Sequence, residues 1–247
     1  MNSAMSRLRA TRLWGRLRDL RYLYRNRLRR RFLSEFISRG DLIFDIGANV
    51  GHYSLIARSL GADVVAVEPQ AALAAGLRRR FAGSGRIKVL QCAVGPTART
   101  ATLHKTADMS EVASLREDAA ELSRFAKSHS YSLAETVEVK TVDELIRSNG
   151  QPSFCKIDVE GYESSVLAGL GTAIPKISFE FNREYWDDTR RCLELMSKLG
   201  SYRFNYVLGD VNRLAAPAWL NAAQLENVIG AYRDPLLWGD IYARIDR

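Results

Sequence analysis

Residues 41–51 read Asp-Leu-Ile-Phe-Asp-Ile-Gly-Ala-Asn-Val-Gly, an apolar run that reaches an acid and continues into two glycines. The run predicts a buried strand that ends at Asp45, after which Gly47 and Gly51 turn the chain into a helix at His52. The first backbone N–H groups of a helix have no partner inside it, so such a turn can receive the polar end of a ligand. The segment therefore predicts the first strand, turn and helix of an α/β domain that carries a ligand site.

A second strand is predicted after this helix, where residues 64–69 read Val-Val-Ala-Val-Glu-Pro. The apolar run ends at Glu68, and a carboxylate at this position of an α/β sheet is placed to bind ribose hydroxyls. Dinucleotide-binding folds share this order of elements, but their glycines are spaced Gly-x-Gly-x-x-Gly. Here three residues separate Gly47 from Gly51, and Asp45 stands two residues before the first glycine. This spacing resembles the S-adenosylmethionine (SAM) site of class I methyltransferases and implies SAM as the cofactor.

A third segment, residues 154–163, reads Phe-Cys-Lys-Ile-Asp-Val-Glu-Gly-Tyr-Glu and predicts another strand that ends in polar groups. Three motifs now stand in order along the chain: DIGANVGHYS at 45–54, VEP at 67–69 and KIDVEGYE at 156–163. Together they resemble the FkbM family of SAM-dependent methyltransferases over about residues 36–210. The resemblance implies O-methylation of a hydroxyl on a sugar, a glycan or a natural product. It leaves the identity of the acceptor open.

Strands and helices alternate along the chain, which predicts an open, mostly parallel sheet with helices on both faces. The resemblance implies the class I methyltransferase version of this α/β, Rossmann-like fold, with seven strands and an antiparallel edge. For that edge we predict a strand at 202–208 and a hairpin partner at 211–214, after Gly209-Asp210. The aromatic tail, residues 217–247, is expected to pack over the sheet edge, with an aromatic platform for the acceptor as the alternative.

The region between the second and third motifs says less about function. Residues 87–94 predict a third strand, and further strands are predicted at 100–105 and 136–140. Between the last two lies a polar stretch, residues 109–129, which we interpret as a variable lid or acceptor loop.

The SAM-binding residues are assigned from the glycine turn and from the resemblance. The residues expected around the methionine end of SAM are Asp45, Gly47, Asn49 and Gly51, with His52 at the helix start. Glu68 is expected on the ribose. In the family fold the end of the third strand lines the adenine pocket, so Cys92 or Gln91 is expected there. Only one of these two side chains can point inward, because neighbours on a strand face opposite ways.

The methyl group of SAM is already activated by the sulfonium, so the enzyme mainly has to align acceptor oxygen, methyl carbon and sulfur. An alcohol must also lose its proton. Asp158 is the first candidate for the general base, with Lys156 and Glu180 as partners that orient the acceptor or tune the charge. Glu160 is a second candidate for the base, and His52 is another by proximity. The alternative for Lys156 and Asp158 is a structural ion pair at the sheet end.

A metal-assisted route is the alternative to a carboxylate base. Residues 177–182 predict a strand with Glu180 and Asn182 on one face, beside Asp158 on the neighbouring strand. These oxygen donors resemble the magnesium site of catechol-type O-methyltransferases, where the ion lowers the pKa of the hydroxyl. We favour catalysis without Mg²⁺, and name Asp158, Glu180 and Asn182 as the ligands if an ion is used.

The net charge of +8 is concentrated at the N-terminus. Residues 1–31 hold eleven arginines and one acid, so this segment carries +10 and the remaining 216 residues carry −2. Apolar residues recur at three- and four-residue steps between the arginines. This pattern predicts a basic amphipathic helical arm over residues 1–34 and a methyltransferase domain over residues 35–247. Packing of the arm on the domain is one interpretation, and binding to an anionic membrane surface or glycan is another. The acidic remainder argues against nucleic acid as a partner.

The rest of the composition, 47% hydrophobic and 26% charged, is ordinary for one catalytic domain of this length. The sequence contains no uncharged apolar run of about 18 residues and no signal-peptide core. We therefore expect a soluble cytoplasmic protein that contacts membranes, if at all, peripherally through the arm. Cys92, Cys155 and Cys192 are expected as reduced thiols. Two other functions stay open: a SAM-binding module without catalysis, and methyl transfer to nitrogen, for which no Asn-Pro-Pro-Tyr-like clamp is present.

Overall fold

The computed structural model describes residues 25–105, 113–116 and 133–246. Their strands form a seven-stranded sheet and a four-stranded sheet. The large sheet consists of β1 (Leu42–Ile46), β2 (Asp63–Val67), β3 (Ile87–Leu90), β8 (Phe154–Ile157), β9 (Lys176–Asn182), β10 (Tyr202–Leu208) and β11 (Trp238–Ile245). The small sheet consists of β4 (Ala93–Val94), β5 (Arg99–Lys105), β6 (Ala113–Ser114) and β7 (Leu133–Lys140).

The helices of the described ranges connect these strands. Residues 25–33 are helical (α1), and the later helices are α2 (His52–Ser59), α3 (Ala71–Phe81), α4 (Val142–Asn149), α5 (Glu163–Ala168), α6 (Trp186–Leu199) and α7 (Ala222–Gly230). In α3 the buried residues Ala74, Leu77 and Phe81 recur at three- and four-residue steps, as expected for a helix that packs one face on a sheet. α4 begins with a capping box, in which Thr141 and Glu144 satisfy each other's backbone N–H groups.

The strands of the large sheet lie in the order β10-β11-β9-β8-β1-β2-β3. β3, β2, β1, β8 and β9 run parallel, and β11 is antiparallel to both of its neighbours. The prediction of a mostly parallel, seven-stranded class I methyltransferase sheet with an antiparallel edge is confirmed. The strand order reverses at β1, which has β2 on one side and β8 on the other. Such a reversal opens a crevice at the carboxyl ends of the strands, where Gly47, Glu68 and Asp158 follow β1, β2 and β8.

The large sheet is covered on both faces. Phe44 and Ile46 of β1 belong to one buried apolar cluster, and Ile43 belongs to the cluster on the opposite face. This division follows from the two-residue period of a strand. Phe32 and Leu33, at the end of α1, are buried in the second cluster together with Ile43. The end of α1 therefore packs into the domain core.

Most of the predicted arm, residues 1–24, and most of the predicted lid, residues 109–129, lie outside the described residues. Their predicted roles therefore stay predictions. In the part of the chain that the structure describes, no helix is both long enough and apolar enough to cross a membrane.

The prediction of one continuous strand over residues 87–94 was wrong. β3 ends at Leu90, opposite Val67 at the end of β2, and the chain then leaves the large sheet. Ala93 and Val94 form β4, which pairs with β7 in the small sheet. The backbone N–H of Glu68 still donates a 3.0 Å hydrogen bond to the carbonyl oxygen of Leu90, and the chain changes sheet after this contact. The apolar run alone could not reveal this change of sheet.

The prediction of a hairpin partner at 211–214 was also wrong. β10 pairs instead with β11, and Val211 is 60% exposed in the connecting loop. β11 lies between β9 and β10, so it pairs on both sides and buries Ile241 completely. An edge hairpin at 211–214 would leave β9 without this second partner. The end of the aromatic tail is therefore a strand inside the sheet, and the tail as a whole does not lie over its edge.

Candidate active site

The glycine turn after β1 packs directly on the end of β8. Gly47 has a φ of +80°, and a Cβ atom at this position would lie 1.7 Å from the carbonyl oxygen of Asp158. Gly51 also has a φ of +80°, and its Cβ position is filled by side chains of α3, among them Leu77 at 2.6 Å. Only glycine fits both the backbone conformation and the space at these two positions.

Glu68 fastens this turn to the end of β2. Its carboxylate accepts hydrogen bonds from the backbone N–H of Asn49 at 2.8 Å and of Gln70 at 3.0 Å. The side chain is 4% exposed, and burial raises its pKa to about 7 against the lowering effect of these two hydrogen bonds. Each carboxylate oxygen keeps a further lone pair, so the group can still accept a hydrogen bond from a ligand hydroxyl.

A first cavity, the Glu68 cavity, lies between the glycine turn, the end of β2 and the small sheet. Its empty volume, with the open mouth included, is about 650 Å³. Cys92 lines this cavity and is 2% exposed. The exposed Gln91 turns the other way and receives a 3.4 Å hydrogen bond from Arg78. Of the two adenine candidates, the structure places Cys92 inside.

A second cavity, the Lys156 cavity, opens on the other side of the glycine turn and has an empty volume of about 1290 Å³. It lies between the ends of β8, β9 and β11, the end of α1 and the loop after β10. Its polar and aromatic lining residues include Arg29, Asp45, His52, Tyr53, Lys156, Asp158, Glu180, Asp210, Trp238, Asp240 and Tyr242. The two cavities share Gly47, Asn49 and Asp158 as lining residues.

Asp45 reaches the Lys156 cavity from the middle of the sheet. It is completely buried, and its Oδ2 accepts a hydrogen bond from Ser54 Oγ at 2.5 Å. Its Oδ1 is buried without a hydrogen-bond partner among the described residues. Burial raises the pKa of Asp45, while the charge of Lys156 lowers it. A buried carboxylate oxygen with this free capacity fits an ammonium group, such as the α-amino group of SAM.

Lys156 neutralises part of the negative charge that lines the cavity. Its Nζ lies 2.7 Å from Asp158 Oδ2 and 5.5 Å from the centre of the Tyr53 ring. Burial alone would lower the pKa of Lys156, but the carboxylates of Asp158, Asp45 and Asp240 outweigh burial and raise it. Lys156 is therefore a fixed positive charge at neutral pH.

Carboxylates stand side by side on three neighbouring strands of this cavity. Asp240 of β11 is paired in register with Glu180 of β9. On the other side of β9, Ile157 is paired with Phe179, so Asp158 comes next to Glu180 at the strand end. Glu180 Oε2 also accepts a 3.1 Å hydrogen bond from Asn182 Nδ2. The predicted proximity of Asp158 and Glu180 is thus present, and Asp240 extends the row.

Asp240 was missed by the sequence analysis. The usable signal is the alternation of Trp238, Asp240 and Tyr242, which places three cavity-lining side chains on one strand face. This alternation was not recognised as a strand of the sheet because the hairpin partner of β10 was assigned to residues 211–214.

The remaining candidates have different positions. Glu160 lines the Glu68 cavity and has a φ of +54°, and the loop around it is held by Glu163, whose carboxylate accepts from the backbone N–H of Val159 at 2.9 Å. Burial raises the pKa of Glu163 to about 8. Ser114 donates a 3.1 Å hydrogen bond to the carbonyl oxygen of Glu160, so this part of the small sheet closes the Glu68 cavity.

Of the predicted magnesium ligands, Asp158 and Glu180 are neighbours at the strand ends, and Asn182 donates a 3.1 Å hydrogen bond to Glu180. Asp158 and Glu180 line the Lys156 cavity, but Asn182 lines neither cavity. Across the described ranges, no group of three or more His, Cys, Asp or Glu side chains is arranged to hold a metal ion. Gly51 also lines neither cavity, and its contact is with α3.

Comparison with known families assigns this chain to a family. The family model described as "Methyltransferase FkbM domain" matches residues 45–206, which contain β1, the glycine turn, Glu68 and the end of β8. This chain belongs to the FkbM methyltransferase family. Membership in this family together with the class I sheet makes the FkbM protein a SAM-dependent methyltransferase.

Solved structures with a similar fold are distant in sequence. The precorrin-6y C5,15-methyltransferase of Geobacter metallireducens is 11% identical, with 88% of this chain and 86% of that chain covered and a TM-score of 0.48. A TehB-like SAM-dependent methyltransferase of Corynebacterium glutamicum is 12% identical, with 98% and 100% covered and a TM-score of 0.46. A comparison of this FkbM chain with curated proteins finds no match.

Proposed function

We propose that this FkbM protein is an O-methyltransferase that transfers the methyl group of SAM to a hydroxyl of a sugar, a glycan or a natural product. The observation that carries the proposal is the pair of cavities that meet at Gly47, Asn49 and Asp158. A methyl group has to pass between a bound cofactor and a bound acceptor, so the two binding spaces must touch.

Residues within the FkbM match are placed to bind the cofactor. Glu68 has the free lone pairs to accept hydrogen bonds from the ribose hydroxyls, and Cys92 offers an apolar contact to the adenine. Burial raises the pKa of the Cys92 thiol to about 11, so this side chain stays neutral. Asp45 Oδ1 lies buried on the side of the Lys156 cavity and suits the ammonium of the methionine end. When bound, SAM supplies a methyl carbon activated by its sulfonium.

The Lys156 cavity provides for a hydroxyl acceptor. A hydroxyl is a weak nucleophile until its proton is removed, whereas a neutral amine needs no strong base. Carboxylates at the ends of β8, β9 and β11 face this cavity, and Lys156 is placed to stabilise a developing alkoxide. Asp158 is the base that the motif suggests first, because it lies on both cavities.

Calorimetric titration with SAM tests the cofactor half of the proposal. We expect micromolar binding that weakens by about 1–3 kcal/mol in Glu68→Gln, the scale of a hydrogen bond to a charged group. Glu138→Gln, an exposed site on β7, is the matched control and should bind as tightly as the unchanged protein. Full affinity in Glu68→Gln would overturn the ribose assignment.

A radiolabel assay tests the acceptor half. SAM labelled in its methyl group is incubated with methyl glycosides, phenols and matched amines, in EDTA and in Mg²⁺. Label on glycosides or phenols but not on amines supports the proposal. Label on amines alone would indicate nitrogen methylation, and SAM binding without any transfer would favour a non-catalytic module.

A further inference from the structure

We infer that Asp240 is a catalytic residue of the Lys156 cavity and that it, rather than Asp158, takes the proton from the acceptor hydroxyl. The inference rests on the proposed O-methyltransferase function and deepens it. It assigns a role to the C-terminal strand β11, which lies beyond the FkbM match at residues 45–206.

The position of Asp240 follows from strand pairing. β11 pairs with β9 in antiparallel register, and Asp240 stands opposite Glu180. The flanking residues of the same strand face, Trp238 and Tyr242, line the cavity as well. Trp238 is 37% exposed at the open end, whereas Tyr242 is buried. Asp240 is thus held between a solvent-facing ring and a buried ring, on the wall of the acceptor space.

Asp158 is the less available carboxylate of the two. Its Oδ2 accepts a 2.7 Å hydrogen bond from Lys156 Nζ, so this oxygen already has a charged partner. No described residue donates a hydrogen bond to Asp240 or lies within ion-pair distance of it. Asp240 is therefore the carboxylate whose oxygens are available to an acceptor hydroxyl.

Charged and titratable groups surround Asp240 on every side of the cavity. They are Lys156 and Asp158 from β8, Glu180 from β9, Tyr242 from β11, Asp45 from β1, His52 and Tyr53 from α2, Arg29 from α1 and Asp210 from the loop after β10. Burial raises the pKa of Asp240 to about 6, with Lys156 and Arg29 acting against it and with Asp158 and Asp210 adding to it. A base of this strength is largely ionised at neutral pH and still accepts a proton readily.

The step balances with the groups named. As the acceptor oxygen forms its bond to the methyl carbon, the bond from that carbon to sulfur breaks and its electron pair stays on sulfur. The hydroxyl proton passes to the Asp240 carboxylate. The products are a methyl ether, the neutral thioether of the spent cofactor and a protonated Asp240, which returns its proton to water.

The first test compares Asp240→Asn with Asp158→Asn, with Asp246→Asn as the matched control. Asp246 is exposed near the end of the chain and pairs with Arg203, away from both cavities. The substrate is methyl α-glucopyranoside or another hydroxyl compound that the unchanged protein methylates. We expect kcat to fall about 100-fold or more in Asp240→Asn, the usual scale for a lost general base. SAM affinity should stay within about twofold, which also shows that the variant is folded. Asp240→Glu should recover part of kcat.

The pH profile separates a base from a merely structural residue. The unchanged protein should lose kcat as the pH falls through about 6, and this limb should be absent from Asp240→Asn. A kcat in Asp240→Asn within about threefold of the unchanged protein would overturn the inference. The inference would also be overturned if the acidic limb of the pH profile persisted in Asp240→Asn and disappeared only in His52→Gln or Asp158→Asn.

A measurement without an acceptor keeps this inference distinct from the proposed function. Carboxyl ¹³C resonances of aspartate-labelled protein are followed with pH, and the Asp240 signal is the one missing from Asp240→Asn. Titration near pH 6 supports the inference, and titration below about pH 4.5 overturns it. If the unchanged protein binds SAM but methylates no hydroxyl probe, the proposed function fails while this titration still reports on Asp240.

Discussion

The two cavities of the active site are built from different parts of the chain. The Glu68 cavity is formed mainly by residues that follow β1, β2, β3 and β8, all within the FkbM match. The Lys156 cavity adds the end of α1, the loop after β10 and β11, which come from near the two ends of the described chain. The Glu68 cavity therefore follows from local motifs, whereas the Lys156 cavity depends on the complete sheet.

The electrostatic design of the two cavities differs in the same way. In the Glu68 cavity one carboxylate is held by the backbone N–H groups of Asn49 and Gln70, its near neighbours in sequence. In the Lys156 cavity several carboxylates from distant strands surround one lysine. Substitutions should therefore act locally in the first cavity and through long-range charge in the second.

The largest effect is expected from Gly47→Ala, in the wall that the two cavities share. The new Cβ would overlap the Asp158 carbonyl oxygen at 1.7 Å, so we expect a loss of about 4 kcal/mol in the free energy of unfolding, or no folding. Gly76→Ala in α3 is the control, because its Cβ meets open space and alanine favours a helix, which predicts a gain of about 0.5–1 kcal/mol. Urea denaturation measures both, and a Gly47→Ala protein of normal stability would contradict the described turn.

A pH-dependent effect is expected from Glu68→Gln. The folded-state pKa of Glu68, about 7, lies above its ordinary value of 4.5, so the folded protein holds this proton more tightly. The free energy of unfolding should therefore fall as the pH rises from about 5 to 8, by about 3 kcal/mol from this group. Glu68→Gln should show a flatter slope than the unchanged protein, measured by urea denaturation at several pH values. Equal slopes would mean that Glu68 is not buried as described.

A smaller effect is expected from Lys156→Met in the second cavity. Without this cation, Asp158 loses its partner, and Asp45 and Asp240 lose a compensating charge. We expect the free energy of unfolding to fall by about 2 kcal/mol at pH 7.5, a figure that allows for the partial exposure of Asp158. The loss should shrink at pH 5, because Asp240, whose pKa is raised to about 6, can then take up a proton. Lys88→Met, at an exposed lysine of β3, should change stability little at either pH. A loss that does not depend on pH would argue for packing alone.

The smallest effect is expected where α1 closes the Lys156 cavity. Arg25 and Arg29 both pair with Asp210, which is 45% exposed. Asp210→Asn should lower the free energy of unfolding by less than about 1 kcal/mol, and 0.5 M salt should reduce the difference further. Hydrogen exchange of residues 25–33 should become faster in the variant. Unchanged exchange would show that α1 is held by Phe32 and Leu33 instead of by the arginines.

These comparisons also explain which predictions from sequence succeeded. The alternation of apolar runs and helices predicted an open, mostly parallel sheet, because the hydrophobic pattern of each segment reflects the burial of that segment. The number of seven strands was implied by the resemblance to the family. The glycine turn is similarly local, since Gly47, Asn49 and Glu68 meet through one strand, one turn and the next strand. The predicted hairpin partner at 211–214 was wrong because a turn signal does not say which distant strand will pair with β10.

The sequence by itself determined the family, the alternation of strands and helices and the three motifs, since these depend on patterns within short segments. Only the tertiary structure decided that β11 enters the sheet between β9 and β10 and brings Asp240 beside Glu180. It also decided that Cys92 faces the cavity and Gln91 does not. The physical reason is that backbone pairing between distant strands sets which side chains become neighbours. Several strands could pair with a strand of a given apolar pattern, and the packing of the whole chain decides which strand does.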